Sequence, residues 1–503
     1  MSPASIALSV LTMATANTYY IDAVRGRDTN GGTSRKTAWQ SARPLSTIRL
    51  KPGDRVLFAG GQRFQGNLCL EGLDGPITVS SFGKGRAVID GGNGDALVVE
   101  DCARVAVKGL DFVGAGRKNG SDGRGIVLRR TRTAALEDLD VSGFRIAGIE
   151  TGGDEDTLIR RVVAHDNGFA GISVHGGHSG LPRSKRVVIR DCIARDNPGD
   201  PKNRTGHSGN GILVSGVDGC LIDRCVATNN GWDMPRKGNG PVGIWAWNAD
   251  RVTIQRCISY ANRSPGADGG GFDFDGGVTN SVLQYNLSYD NEGCGYLLCQ
   301  FSGATRWRNN VVRYNVSYND GSRNMQAGIG LWTGDLGIWD AEIYNNTIVN
   351  PHHAVYSMGA LPGFVYRNNL FVCGGDALVG DFSRSRFEGN RYQAKGNLVA
   401  QDGKVAYDDR PTTYRSLDEW VLATGQERIG ELVVGTAGEA GIVLPRRGEK
   451  LPTDPRDLEK MPFFRLAEGS DCIGAGRPIK GNGGRDLFGN RLSGRPSIGA
   501  HEP

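Results

Sequence analysis

Apolar and polar residues alternate with a period of two over short runs along most of this chain, and Gly, Asn and Asp turns separate the runs. Period two is the strand period, because successive side chains leave opposite faces of a sheet. The runs recur about every 20 to 33 residues, an interval typical of stacked repeats. The repeat is clearest from Gly171 to Asn350. Six segments align on a leading glycine: GISVH from Gly171, GILVS from Gly211, GIWAW from Gly243, GFDFD from Gly271, GYLLC from Gly295 and GIGLW from Gly328. Each is followed by a second run, VVIRDCIARDN, CLIDRCVATNN, VTIQRCISYAN, SVLQYNLSYDN, NVVRYNVSYND and AEIYNNTIVN in turn. Aligned, the second runs give one column: Cys192, Cys225, Cys257, Asn286, Asn315 and Asn346, continued by Asn369 and Asn390.

Identical residues stacked at one turn, about 4.8 Å apart, are what a parallel solenoid requires. The chain therefore reads as all-β, a right-handed parallel β-helix. An interior Asn can bond backbone at a bend and its own copies above and below. The Cys part of the column fits a small apolar filler, with free thiols. Close paired spacing of a zinc site is missing from it. A short helix from Ala42 to Leu50 is expected to cover the open N-terminal end, whose strand edges would otherwise be unpaired. Residues 17–400 are assigned to the solenoid and 401–503 to a C-terminal extension packing on it or capping it. Ser416 to Gly425 in that extension reads as a helix with a capping box (Ser416, Glu419) and a terminal glycine.

Period two also assigns faces. In the glycine-led strands the second and fourth residues point inward, from Ile172/Val174 to Ile329/Leu331. The hydroxyl of inward Tyr296 needs a partner. The third and fifth point outward: Ser173/His175, Leu213/Ser215, Trp245/Trp247, Asp273/Asp275, Leu297/Cys299 and Gly330/Trp332. One outer face thus carries two carboxylates beside two tryptophans, with Trp332 two coils further on.

Composition changes this picture little. Gly 76 is about twice the usual share and suits many tight turns. A net charge of +5, spread along the chain, gives no argument for nucleic acid. Residues 1–16 end in an A-x-A pattern (Ala14, Ala16) like a secretory signal, although a basic start is missing. A secreted or periplasmic location is the expectation, and no later apolar run reaches membrane-spanning length.

The chemistry concentrates in GADGGGFDFDGG, Gly266 to Gly277. Asp273 and Asp275 lie two apart on one strand, about 6.5 Å between Cα atoms on one side. Acids that close repel, so one keeps a raised pKa, as an acid/base pair needs. Asp268 enters from the preceding turn. The three are the candidate catalytic residues. Solvated turn aspartates are the plain alternative. The expectation is no metal and no cofactor, with calcium on these acids as its rival. Trp245, Trp247 and Trp332 are candidates for stacking on a sugar. His175, and from the loops His207, Asn210, Lys237 and Asn239, complete the candidate substrate-binding set.

The N-terminal opening and the C-terminal segment resemble those of secreted β-helix polysaccharide lyases and hydrolases. Asp268 and Asp275, seven apart in a DGGGFDFD-like strand, resemble the paired catalytic aspartates of the β-helix lacto-N-biosidases, which are retaining glycosidases. That resemblance implies Asp275 as nucleophile and Asp268 as acid/base, on a carbohydrate substrate. The resulting expectation is a retaining glycoside hydrolase acting on an oligo- or polysaccharide. Its first rival is a calcium-assisted polysaccharide lyase on a uronate polymer, with Lys237 or Arg323 as base. The second is a glycan-binding β-helix without catalysis.

Overall fold

A computed structural model describes residues 15–400, 413–492 and 494–503. Of residues 1–16, the first fourteen lie outside them. Strands stack in parallel into a 13-stranded sheet and a bent 26-stranded sheet, so the fold is a parallel β-helix with three faces. Every glycine-led segment of the sequence lies in the 13-stranded sheet, which we call the site face: Ala170–His175, Asn210–Ser215, Ile244–Trp247, Phe272–Phe274, Tyr296–Cys299 and Ala327–Trp332. Their register is the aligned one: Ile212 faces Ile244, which faces Phe272, which faces Tyr296.

The inward residues form one continuous apolar core, with Ile172, Val214, Ile244, Phe274 and Leu331 fully buried. Tyr296 finds its partner inside, donating toward the carbonyls of Asn286 at 2.9 Å and Val316 at 3.0 Å. The leading glycines have a packing reason. A Cβ on Gly243, Gly271 or Gly295 would sit 2.0, 2.2 or 2.4 Å from the hydroxyls of Ser259, Ser288 or Ser317. The third face approaches too closely there for any side chain.

The Asn column forms as read. Asn286 donates its amide N–H to Asn315 Oδ1, Asn315 to Asn346, Asn346 to Asn369 and Asn369 to Asn390, each at 2.9–3.0 Å. Each amide also donates back to a carbonyl of the coil before, as Asn315 does to Leu283. The residue preceding each ladder member is left-handed, with φ between 51° and 58° from Asp191 to Asn368 and 74° at Gly389. That left-handed bend costs about 1–2 kcal/mol for an L-residue. The ladder bonds offset it by satisfying the backbone at the corner. Cys192, Cys225 and Cys257 continue the column as buried free thiols.

A second ladder, at the ends of the second runs, was not read from the sequence. It links Asn167, Asn197, Asn230, Asn262, Asn291 and Asp320, all buried. Each member closes a coil just before a loop leading to the site face. Coils are 33 residues long between Asn197 and Asn230 and 21 between Asn369 and Asn390, and the long ones carry the site loops.

The ends depart partly from expectation. The N-terminal cover is a 3-10 turn, Arg43–Thr47, rather than a longer helix. Ser46 and Thr47 donate back to the carbonyls of Arg43 and Pro44, which shortens it. The capping-box helix is Leu417–Thr424, with Ser416 Oγ accepting from Glu419 and Gly425 left-handed. Glu419 reaches Arg415 N at 2.7 Å, one residue before the cap. Trp420 packs on Phe387 and Tyr392 and closes the C-terminal end. The rest runs back along the rod: Leu458, Met461, Phe464 and Phe488 cover Ile258, Leu287 and Val316. Among the described residues, no helix is long and apolar enough to cross a membrane.

Candidate functional site

The three acids come together on the site face. Asp273 faces Trp245 on one neighbouring strand and Leu297 on the other. Flanked by these apolar groups, it is 2% exposed, and its Oδ1 has no hydrogen-bond partner. Burial first, then the charges of Asp275 and Asp268, push its carboxyl well above the usual range. Asp275, two residues on, is half-buried. Its Oδ1 accepts from Gly276 N at 2.6 Å and from the Cys299 thiol at 2.6 Å. Burial raises it to about 6 while those two donors hold it down.

Asp268 sits at φ 59° in the loop before the strand. Its Oδ2 accepts from Gly240 N at 2.7 Å, and its carbonyl accepts from Asn324 Nδ2 at 2.9 Å. Burial and then the Asp275 charge raise it to about 7, opposed by Gly240 and by Arg236. Neighbouring loops clamp this one: Gly269 N donates to Pro241 O, and Gly293 N to Gly269 O. A Cβ on Gly293 would lie 2.5 Å from Asp268 O, so the clamp needs glycine there.

The other predicted residues divide. Trp247 lies beside Asp275 in the register and is half-buried, and Trp332 is 38% exposed. Cys299, bonded to Asp275, pairs with Trp332, so an outer row runs Trp247, Asp275, Cys299, Trp332. His178 stacks between His175 and Trp247, and Phe301 meets Trp247 edge-on, forming an aromatic wall beside the acids. Within that wall His175 also faces Glu150 at 3.7 Å.

Trp245 and Asn210 depart from expectation. Trp245 points outward as period two requires, yet it is 4% exposed, packed with Leu213 and Val242. Its indole N–H donates to Asn210 Oδ1 at 3.1 Å, and Asn210 Nδ2 donates to Phe169 O at 2.9 Å. Both are committed to holding loops over the sheet, so neither offers a face to a ligand. His207, edge-on to Trp245, accepts from Asn210 at Nδ1, and burial lowers its pKa to about 4. It stays neutral, with Nε2 free to donate. Lys237 and Asn239 are exposed on their loop. The cation acting on Asp268 is Arg236, one residue before the sequence candidate. Arg323 is engaged by the carbonyls of Ser264 and Pro265 and by Glu292. A carboxylate oxygen of Asp273, one of Asp275 and Cys299 Sγ all lie within 4.8 Å of one another.

Comparison with known proteins agrees with this architecture. The family model described as "Right handed beta helix region" matches residues 200–337, the part that carries the site. A lacto-N-biosidase from Bifidobacterium longum subsp. longum is 22% identical over 98% of this chain and 36% of its own length. Pectate lyase L from Paenibacillus polymyxa is 26% identical over 43% of this chain and 48% of its own. The chain thus spans about a third and about half of the length of these curated relatives. Among solved structures, the GH136 lacto-N-biosidase from Eubacterium ramulus superposes with a TM-score of 0.52 at 18% identity, over 69% of this chain and 65% of that one. The shared fold is the right-handed parallel β-helix, and both curated relatives are carbohydrate-active enzymes.

Proposed function

We propose that this protein is a glycoside hydrolase that cleaves an oligo- or polysaccharide with Asp275 as nucleophile and Asp268 as general acid/base. The observation that carries the reading is the unequal environment of two facing carboxyls. Asp275 has two donors on one oxygen and the lower value, about 6, which favours the anion. Asp268 has one backbone donor and is raised by burial and by the Asp275 charge, which favours the protonated form. Environments that push two carboxyls apart divide acid from nucleophile. The lacto-N-biosidase likeness supports the same assignment.

In this reading, Asp268 gives its proton to the glycosidic oxygen as the bond to the anomeric carbon breaks. Asp275 attacks that carbon and forms a glycosyl ester. Asp268, now a carboxylate, takes a proton from water, which opens the ester and restores both groups. Asp273, held neutral, adds no repulsion against the Asp275 anion. Trp247 and Trp332, on either side of Asp275, present the stacking surfaces.

The test is turnover of Asp275→Asn and Asp268→Asn on a panel of glycans with product analysis. Asp275→Asn should abolish turnover while the fold and glycan binding persist. Asp268→Asn should lose about 10²–10⁴-fold, with aryl glycosides of good leaving groups partly spared. Near-wild-type rates in both variants, or an unsaturated ultraviolet-absorbing product, would overturn the hydrolase reading. The latter outcome would favour the lyase, whose base would then be sought at Arg236 or Lys237.

A further inference from the structure

We propose that Asp273, Asp275 and Cys299 form a binding site for one thiophilic divalent cation, zinc or cadmium, and that its occupancy blocks catalysis. The cation-binding part is independent of the hydrolase reading. The block rests on it.

Three donors of mixed type converge within 4.8 Å, and the backbone fixes them. Asp273 and Asp275 leave one strand on the same side, and Cys299 stands at the equivalent position one coil on. Asp273 Oδ1 is buried with no hydrogen-bond partner, which is costly for a carboxyl in apolar surroundings. A cation among the three donors gives the Asp273 carboxyl a partner. The donor set also selects the ion. Calcium takes six to eight oxygens, and here two carboxylates stand beside a sulfur. Zinc accepts carboxylate and thiolate together, with three protein ligands and one open position. On binding, one metal–sulfur and two metal–oxygen bonds form. The Cys299 thiol proton and the Asp273 carboxyl proton leave to solvent. Asp275, serving as a ligand, then shares its charge with the cation and attacks an anomeric carbon less readily.

The experiment titrates cadmium into metal-stripped full-length protein and follows the thiolate-to-cadmium ultraviolet band. It is run in a Cys69→Ser background, because Cys69 is the exposed thiol among the ten cysteines. One saturating equivalent is expected. Cys299→Ala should abolish the band, and Asp273→Asn should weaken binding by more than the roughly tenfold typical of losing an outer partner of a metal ligand. Near-ultraviolet dichroism checks that each variant is folded, and if Cys299→Ala fails that check, Asp273→Asn alone decides. No saturable band, or a band unchanged in either folded variant, overturns the site. Calorimetry with zinc should give the same stoichiometry. If the cation binds and no glycan is hydrolysed, the site stands and the hydrolase reading falls. If a glycan is hydrolysed and saturating zinc leaves the rate unchanged, the block is overturned.

Discussion

Burial dominates the electrostatics of Asp275, and Cys299 is the side chain that opposes it. Its thiol donates to the carboxylate and lowers that pKa. Turnover should therefore be bell-shaped in pH. It should fall below about pH 6, as Asp275 takes a proton, and above about pH 7, as Asp268 loses one. Cys299→Ala removes a donor to the anion, so the Asp275 value should rise, the acidic limb should move upward and the bell should narrow. A pH–rate series on both proteins checks the sign. The two tryptophans of the Ile244–Trp247 strand should separate under mutation. Trp247→Ala should raise KM more than it lowers kcat. Trp245→Ala should cost about 3–5 kcal/mol of stability as a cavity, read by denaturant melts. Asn210, expected in a loop, opens the strand Asn210–Ser215. Parity along a strand told which side of the sheet Trp245 occupies. It could not tell that loops cover that side, because loops carry no period. Arg236 was missed for the same reason: nothing in an aperiodic loop distinguishes it from Lys237.

At the scale of elements, the two buried ladders set where the coils bend. Asn315→Leu would strip a side chain that accepts from Asn286 and donates to Asn346 and Leu283 O. Each buried polar group left unsatisfied costs about 1–3 kcal/mol, so a loss of several kcal/mol is expected in chemical unfolding. Asn262→Leu should destabilise similarly, and it should also lower activity, because the loop bearing Asp268 begins at Arg263. The first ladder was legible because its members sit at one offset from an apolar alternation. The second was equally present in the sequence, as the Asn or Asp closing each second run. It went unread because its members precede loops of unequal length, which break the alignment just beyond them. Gly293→Ala tests the clamp itself: a methyl 2.5 Å from Asp268 O should displace that loop and cut turnover, with little change in the melting temperature.

At the scale of the molecule, the rod was readable and its ends only in part, since the Ser416–Gly425 helix was read and the N-terminal cover was not. A repeat states its own neighbours, whereas a cap is a single solution written once. Hence the site strands, the inward core and the Asn column follow from pattern, while the 3-10 cover and the returning extension had to be seen. One detail of the C-terminal end reaches further than stability. Every amide in the ladder from Asn286 to Asn390 points one of its two N–H groups toward the C-terminus, and the last, Asn390, donates to Glu427 Oε1 at 2.7 Å. The stack therefore has a head and a tail. While the chain emerges from the ribosome, each finished coil presents an unmet donor to the coil not yet made. That demand passes upward unchanged until residue 427 brings a carboxyl oxygen that accepts it. The ladder is thus directional, and its last donor is met by a residue that follows the last ladder coil in the chain.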